Sequence, residues 1–215
     1  TSDGADLIRG DICDEAIRLT RILLDHPLTS LPKVHAIISL FLFQASRLSS
    51  RTDEFGDLLL LVDQDRSMWD REMLSAGLEH FRMAASGNEL TDYHIEAEIA
   101  SLHALAPDYA STDWERIIAA YDVLLSRRFS PVVALNRLVA IGESRGAEEA
   151  LAELSAIASN YLMTSFNLYH ITRGHFLASL GRTGEASESY ARAAELTRNK
   201  AVLRFIGRKI KMLKS

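Results

Sequence analysis

The chain has 215 residues, 47% hydrophobic, 25% charged and 7% aromatic. That suffices for one large domain or two packed halves and excludes disordered or collagen-like classes. Gly (11) and Pro (4) are sparse while Ala (27) and Leu (31) are abundant, so strong helix formers dominate and the composition predicts a mostly α fold. The formal charge of −5 conceals an asymmetry: seven basic residues and no acid from Arg198 onward follow a body with seventeen basic and twenty-nine acidic residues, a tail near +7 after a body near −12.

Ile12, Ala16, Leu19 and Leu23 recur at helical spacing opposite Asp14, Arg18, Arg21 and Asp25, which predicts a surface helix whose inner face is that apolar set. His26-Pro27 ends it, because a residue before proline is pushed out of the α region. From Pro32 to Arg47 the segment is apolar nearly all round, as in a central helix buried by several neighbours. Ser49 to Phe55 reads as a polar loop. Leu58 to Val62 is a run of large apolar residues with no partner strand nearby, so it is expected to be an irregular segment pinned in the core. A helix follows from about Ser67 to Ala85, and Thr91-Asp92 opens another that Pro107 closes. Thr112-Asp113 supplies a cap for the next helix, Pro131 sits at a first-turn position of another, and Gly146 and Gly184 mark further joints. The last helix turns Val202, Ile206, Ile210 and Leu213 to the core and Lys200, Arg204, Arg208 and Lys211 outward. Solvent exposure accounts for that basic stripe; contact with nucleic acid, polymerase or another partner is the alternative.

The second half is built from paired helices. Gly174, Gly181, Ala186, Tyr190 and Ala193 match the small and large positions of a tetratricopeptide repeat, in which small residues let two antiparallel helices approach and a large one fills the gap beside them. A weaker copy runs through Leu138, Ile141, Ala150, Leu154 and Ile157, and a vaguer one through Ile117, Tyr121 and Leu124.

Motifs for chemistry are missing. No His-Glu-x-x-His, phosphate-cradling glycine loop or Gly-x-Ser-x-Gly occurs. A single cysteine, Cys13, excludes an internal disulfide framework and reads as a small packed thiol. His94 and Glu98 read as an exposed helix pair. No cofactor, metal or small-molecule substrate is expected. The longest apolar stretch, 36–43, is far short of the ~20 residues of a membrane span, and no cleavable leader pattern opens the chain, which points to a cytoplasmic protein. The first residue is Thr1, as expected of a piece of something longer.

The densest polar constellation is Asp63-Gln64-Asp65-Arg66-Ser67-Met68-Trp69-Asp70-Arg71. One reading is structural: Asp65 or Ser67 caps the following helix, Arg66 pairs with a carboxylate and Trp69 anchors the core. A second makes Arg66 and Trp69 partner contacts, since both types are common interface anchors. A third, acid–base work by the two aspartates, requires them to line a pocket together.

These residues carry a resemblance. Residues 13–19, 60–67 with Trp69-Asp70-Arg71, Thr112-Asp113-Trp114, Ser130-Pro131-Val132-Val133-Ala134-Leu135-Asn136-Arg137, and Leu180-Gly181-Arg182 with Glu185-Ala186 together resemble the C-terminal extension of bacterial extracytoplasmic-function sigma factors with a tetratricopeptide-like tail. The resemblance implies upstream domains that bind RNA polymerase and promoter DNA. It also implies a non-catalytic tail that regulates initiation through contacts with the sigma domains or a regulatory protein.

The combined expectation is an all-α fold, with a helical subdomain over 1–88 and tetratricopeptide-like hairpins over 89–215. Asp63, Gln64, Asp65, Arg66 and Trp69 are expected at the contact between the two, and Asn136, Arg137 and Tyr169 on a concave docking face. The competing expectation is an independent scaffold for an acidic partner.

Overall fold

The computed structural model describes residues 10–54, 56–57, 59–159 and 161–214, with the side chains of Tyr161 and Leu162 left aside. The fold is all-α: α1 (Gly10–Leu24), α2 (Pro32–Ala45), α3 (Arg71–Ala84), α4 (Asp92–Leu105), α5 (Trp114–Arg127), α6 (Pro131–Arg145), α7 (Ala147–Ala156), a single turn α8 (Tyr161–Thr164), α9 (Asn167–Ser179), α10 (Thr183–Glu195) and α11 (Lys200–Met212). Among the described residues no β-strand occurs. The chain forms two compact units that divide between Asp113 and Trp114.

In the N-terminal unit α2 is the central helix that its all-round apolar sequence predicts. One side joins Ile38, Leu42 and Ala45 to Ile17 of α1, and another joins Phe43 to Trp69, Leu74 of α3 and Ala100 of α4. Because Ala100 belongs to this second core, α4 is part of the N-terminal unit. The boundary therefore falls at 113/114 and not at the 88/89 expected from sequence. Helices α2 and α3 approach closely: Ser39 Oγ donates to the Gly77 carbonyl at 2.9 Å, and a Cβ at Gly77 would stand 2.9 Å from the Phe43 ring.

Helix α1 corrects its expected orientation. It buries Ile17 and Thr20, with Cys13 and Leu24 half-buried, and leaves Ile12 (53%), Leu19 (49%) and Leu23 (44%) exposed. Two adjacent stripes, 12/16/19/23 and 13/17/20/24, share the same spacing, so periodicity does not choose between them. Packing against Ile38 and Leu42 does, and the Thr20 hydroxyl tolerates burial because it donates to the Ala16 carbonyl at 2.7 Å.

The apolar run before α3 forms neither α-helix nor strand among its described residues and ends in a 3-10 turn, Leu61–Asp63; Leu59, Leu60 and Leu61 are half-buried, Leu61 packing against the core, while Val62 is 53% exposed and Leu58 lies outside the described residues. Helix α3 starts at Arg71, later than the Ser67 expected. Residues Arg66–Met68 form a 3-10 turn, and Trp69 is extended (φ −74, ψ 135), which interrupts any helix there.

In the C-terminal unit helices near in sequence pack on one another: α5 with α6, α6 with α7, α7 with α9, α9 with α10, and α10 with α11. Gly146 (φ +101) joins α6 to α7, and Gly181 (φ +71) joins α9 to α10, both in left-handed geometry that favours glycine. Gly184 lies within the first turn of α10, so the joint is three residues earlier than expected. The small–large match holds: a Cβ at Gly174 would stand 2.9 Å from Tyr190 Cε1, and Ala186, Tyr190 and Ala193 are buried. Helix α11 lays Ala201 and Ile206 inward and leaves Lys200, Arg204 and Lys211 exposed, while Arg208 is half-buried.

Candidate functional site

The Asp-Gln-Asp-Arg segment lies in the N-terminal unit between the end of α2 and the end of α4. Trp69 and Gln64 are buried, whereas Asp63, Asp65 and Asp70 are exposed. Asp65 accepts from the Ser67 amide at 2.8 Å, capping the 3-10 turn, and Asp70 accepts from the Glu72 and Met73 amides at 2.9 Å, capping α3. The cap of α3 is thus Asp70, not the expected Asp65 or Ser67. The extended Trp69 drops its indole into the core, where Nε1 donates to Ser50 Oγ at 2.8 Å. The Asp70 amide donates to the Ser46 carbonyl at 2.8 Å. Gln64 Nε2 donates to the Leu59 carbonyl at 3.3 Å, while Gln64 Oε1 is buried without a hydrogen bond.

Arg66 is the reach across. Its Nη1 donates to the carbonyls of His103 (2.8 Å) and Ala106 (2.9 Å), and its guanidinium lies 4.7 Å from the centre of the Trp69 ring. The last carbonyls of a helix have no acceptor duty left within it and carry the negative end of its dipole, so a cation there is doubly suited. The expected carboxylate partner is therefore replaced by a helix end. Burial lowers the Arg66 pKa, opposed by the field of Asp108 and then Tyr109. Arg66 Nη2 is buried without a hydrogen bond. Beside it, burial, Arg47 and Arg66 together push His103 down to about 4, so the imidazole is neutral at neutral pH. A shallow cleft here is lined by Phe43, Gln44, Arg47, Trp69, Ala100 and His103. Asp63 and Asp65 do not line it, and the Asp65 carboxyl is held below its usual range by Ser67. A carboxyl held down in this way is the opposite of a general acid's raised one.

The residues expected on a concave face have three different fates. Asn136 is exposed on α6. Arg137 is half-buried and bridges α5 to α7, its Nε donating to Asp122 at 2.5 Å and its Nη1 to Glu153 at 2.6 Å. Tyr169 is 5% exposed, which corrects its placement on an open face; burial raises its phenol pKa. It sits on the packed side of α9, edge-on to His170.

Several contributors went unseen in the sequence. Ser46 and Ser50 hold Trp69 and Asp70, and His103 supplies both a carbonyl and an imidazole to the Arg66 corner. Arg145 joins Glu115 (2.8 Å) and Glu149 (3.1 Å), with Ser144 donating to Glu115 at 2.7 Å. These contacts hold the Glu115 carboxyl down at about 2. Only the Arg145–Glu149 spacing of four hinted at this network. His94 turns back to Thr91 rather than forward to Glu98: its Nδ1 accepts from the Thr91 amide at 3.2 Å, a reciprocal cap at the start of α4.

Among the described residues no group of three or more His, Cys, Asp or Glu side chains is arranged to hold a metal ion, and no helix is long and apolar enough to cross a membrane.

A family model described as "Family of unknown function (DUF6596)" matches residues 1–85, ending where α3 ends. The chain is similar to the uncharacterized protein R00370 of Rhizobium meliloti (strain 1021), 38% identical over 204 residues, a match that covers 95% of this chain and 48% of that protein. The chain thus spans about half the length of the curated relative it matches. No solved structure matches it.

Proposed function

We propose that this chain is the docking and regulatory tail of an extracytoplasmic-function sigma factor, without a catalytic role of its own, in a cytoplasmic protein whose remaining domains engage RNA polymerase and promoter DNA. The observation that carries the reading is the Asp-Gln-Asp-Arg-Ser-Met-Trp-Asp-Arg segment. It is one of the two specific parts of the resemblance, with Ser130 to Arg137 the other, and its Arg66 and Trp69 organise the corner between α2 and α4. The relative, about twice as long as this chain, has room for such domains outside the match. In this reading the segment acts by keeping the N-terminal unit in one shape, against which the sigma domains or a regulatory protein rest.

Pull-down of core RNA polymerase with the full-length protein tests the sigma assignment; a full-length protein that does not retain core polymerase sinks it. The tail's role is tested by Arg66→Ala with Trp69→Ala in the same protein. Transcription from its promoters is expected to fall at equal protein level, and unchanged output counts against a regulatory tail.

The second reading, an independent scaffold for an acidic partner, is favoured by one feature. From Arg198 onward the chain has no acid, and Lys200, Arg204, Lys211 and Lys214 are exposed there. It predicts salt-sensitive binding to an acidic peptide that weakens when these four are replaced by Gln.

A further inference from the structure

Helices α2 and α3 also meet at two half-buried imidazoles. His35 of α2 and His80 of α3 have their Nδ1 atoms 2.9 Å apart, with ring planes 25° apart and ring centres separated by 5.2 Å. The centre-to-centre distance exceeds the nitrogen-to-nitrogen distance by about one imidazole diameter, so both nitrogens lie on the line joining the ring centres. Ring nitrogens point outward along that line, and the contact is an in-plane N–H···N hydrogen bond rather than a face-to-face stack. Two nitrogens on one metal ion would instead aim their lone pairs at a common point off the line.

Proton counting gives this contact a sharp response. In the neutral pair one ring carries its hydrogen on Nδ1 and donates, and the other carries it on Nε2 and accepts. A first added proton goes to the donor ring's free Nε2, and the bridging bond survives with a charge on one side, which strengthens it. A second added proton makes both Nδ1 atoms donors, and N–H then faces N–H with two cations in contact. We propose that His35 and His80 form a proton-operated latch between α2 and α3, closed with no added proton or one and opened by the second.

The surroundings sharpen the second step. Burial is the largest influence on both rings and disfavours their charged forms. His80 is further opposed by His35 and by Arg21 of α1, and favoured only by Glu79 on its own helix. The charged groups that act on the pair thus lie on α1 (Arg21) and on α3 (Glu79). One turn away along the same joint lie the Ser39–Gly77 hydrogen bond and the Phe43–Gly77 contact, so opening the latch strains a close helix approach.

Nitrogen-15 NMR of the imidazoles in the whole chain tests the proposal. At pH 8, one of the two rings is expected as the Nδ1–H tautomer and the other as Nε2–H. On acidification the pair should titrate in two separated steps. Two Nε2–H tautomers, or two rings that titrate together at the ordinary histidine value, overturn it. Urea unfolding of the wild type and of a His35→Leu, His80→Leu double variant, from pH 8 to pH 5, supplies the second readout. His103, His170 and His175 are present in both and cancel. Each proton bound by the unfolded chain alone raises the unfolding constant about tenfold per pH unit. The wild type should therefore lose about tenfold more of its folded preference than the double variant below pH 6.5. Parallel pH curves refute the latch, and if the double variant does not fold, the tautomer assignment decides alone.

Discussion

The packing of the C-terminal unit makes opposite demands on two glycines, and one substitution applied to both exposes the difference. Gly142 lies inside α6, where a Cβ would stand 2.6 Å from Phe176 Cε1 and 3.3 Å from its Cζ; at Gly207 in α11 nothing lies within 4 Å. Carbon atoms are most comfortable at roughly 3.5–4.0 Å, and Phe176, 2% exposed, has no free space to retreat into. Overpacking of this kind costs roughly 1–3 kcal/mol, against a gain of about 1 kcal/mol for replacing Gly by Ala in a helix interior. Gly142→Ala is therefore expected to destabilise the unit by up to about 2 kcal/mol, and Gly207→Ala to stabilise it by about 0.5–1 kcal/mol. Urea unfolding followed by circular dichroism reads both as opposite shifts in midpoint at constant slope. Adding Phe176→Leu to Gly142→Ala should recover part of the loss, a coupling that a double-mutant cycle isolates. If Gly142→Ala proves as stable as Gly207→Ala, the close approach of α6 and α9 at Phe176 is wrong.

Arg66→Met keeps an apolar stem over Trp69 but removes the donors to the His103 and Ala106 carbonyls. A loss of about 2–3 kcal/mol in the N-terminal unit is expected, measured by tryptophan fluorescence in urea, with Arg66→Lys recovering only part. His103 adds a pH dependence: its pKa falls from the ordinary 6.5 to about 4 on folding, so its contribution is complete above pH 6.5 and disappears as pH falls toward 4. The depression corresponds to about 3 kcal/mol, and His103→Leu should flatten that part of the stability curve between pH 6.5 and 4. Arg137→Met removes bridges to Asp122 and Glu153, whose side chains are 53% and 39% exposed, so a loss of about 1 kcal/mol or less, smaller still in high salt, is expected from thermal melts.

Helix existence and type were legible because they rest on neighbours in sequence. Pro32 and Pro131 start α2 and α6, and Ser130 caps the latter as its side chain suggests. The α9–α10 pairing was legible for a different reason: Gly174 and Tyr190 belong to a repeat pattern that encodes a contact between two helices. The candidate site was legible only as a cluster of residue types. Arg66 meets carbonyls 37 and 40 residues away, and backbone acceptors leave no mark on residue identity. Tyr169 read as a surface contact because an aromatic with a hydroxyl suits either environment, and only the packing of α9 buries it.

From its sequence alone, this protein is committed to helices, to a central apolar α2, to small–large complementarity between α9 and α10, and to a basic final helix. All of these follow from local propensity, caps and spacing. Tertiary structure alone decided which of two equivalent stripes on α1 turns inward, that α4 completes the N-terminal unit, that Arg66 closes a helix end, and that His35 meets His80 across 45 residues. The physical reason is common to all four. Each outcome depends on which surfaces exclude water together, and that is settled only when segments distant in the chain compete for the same core.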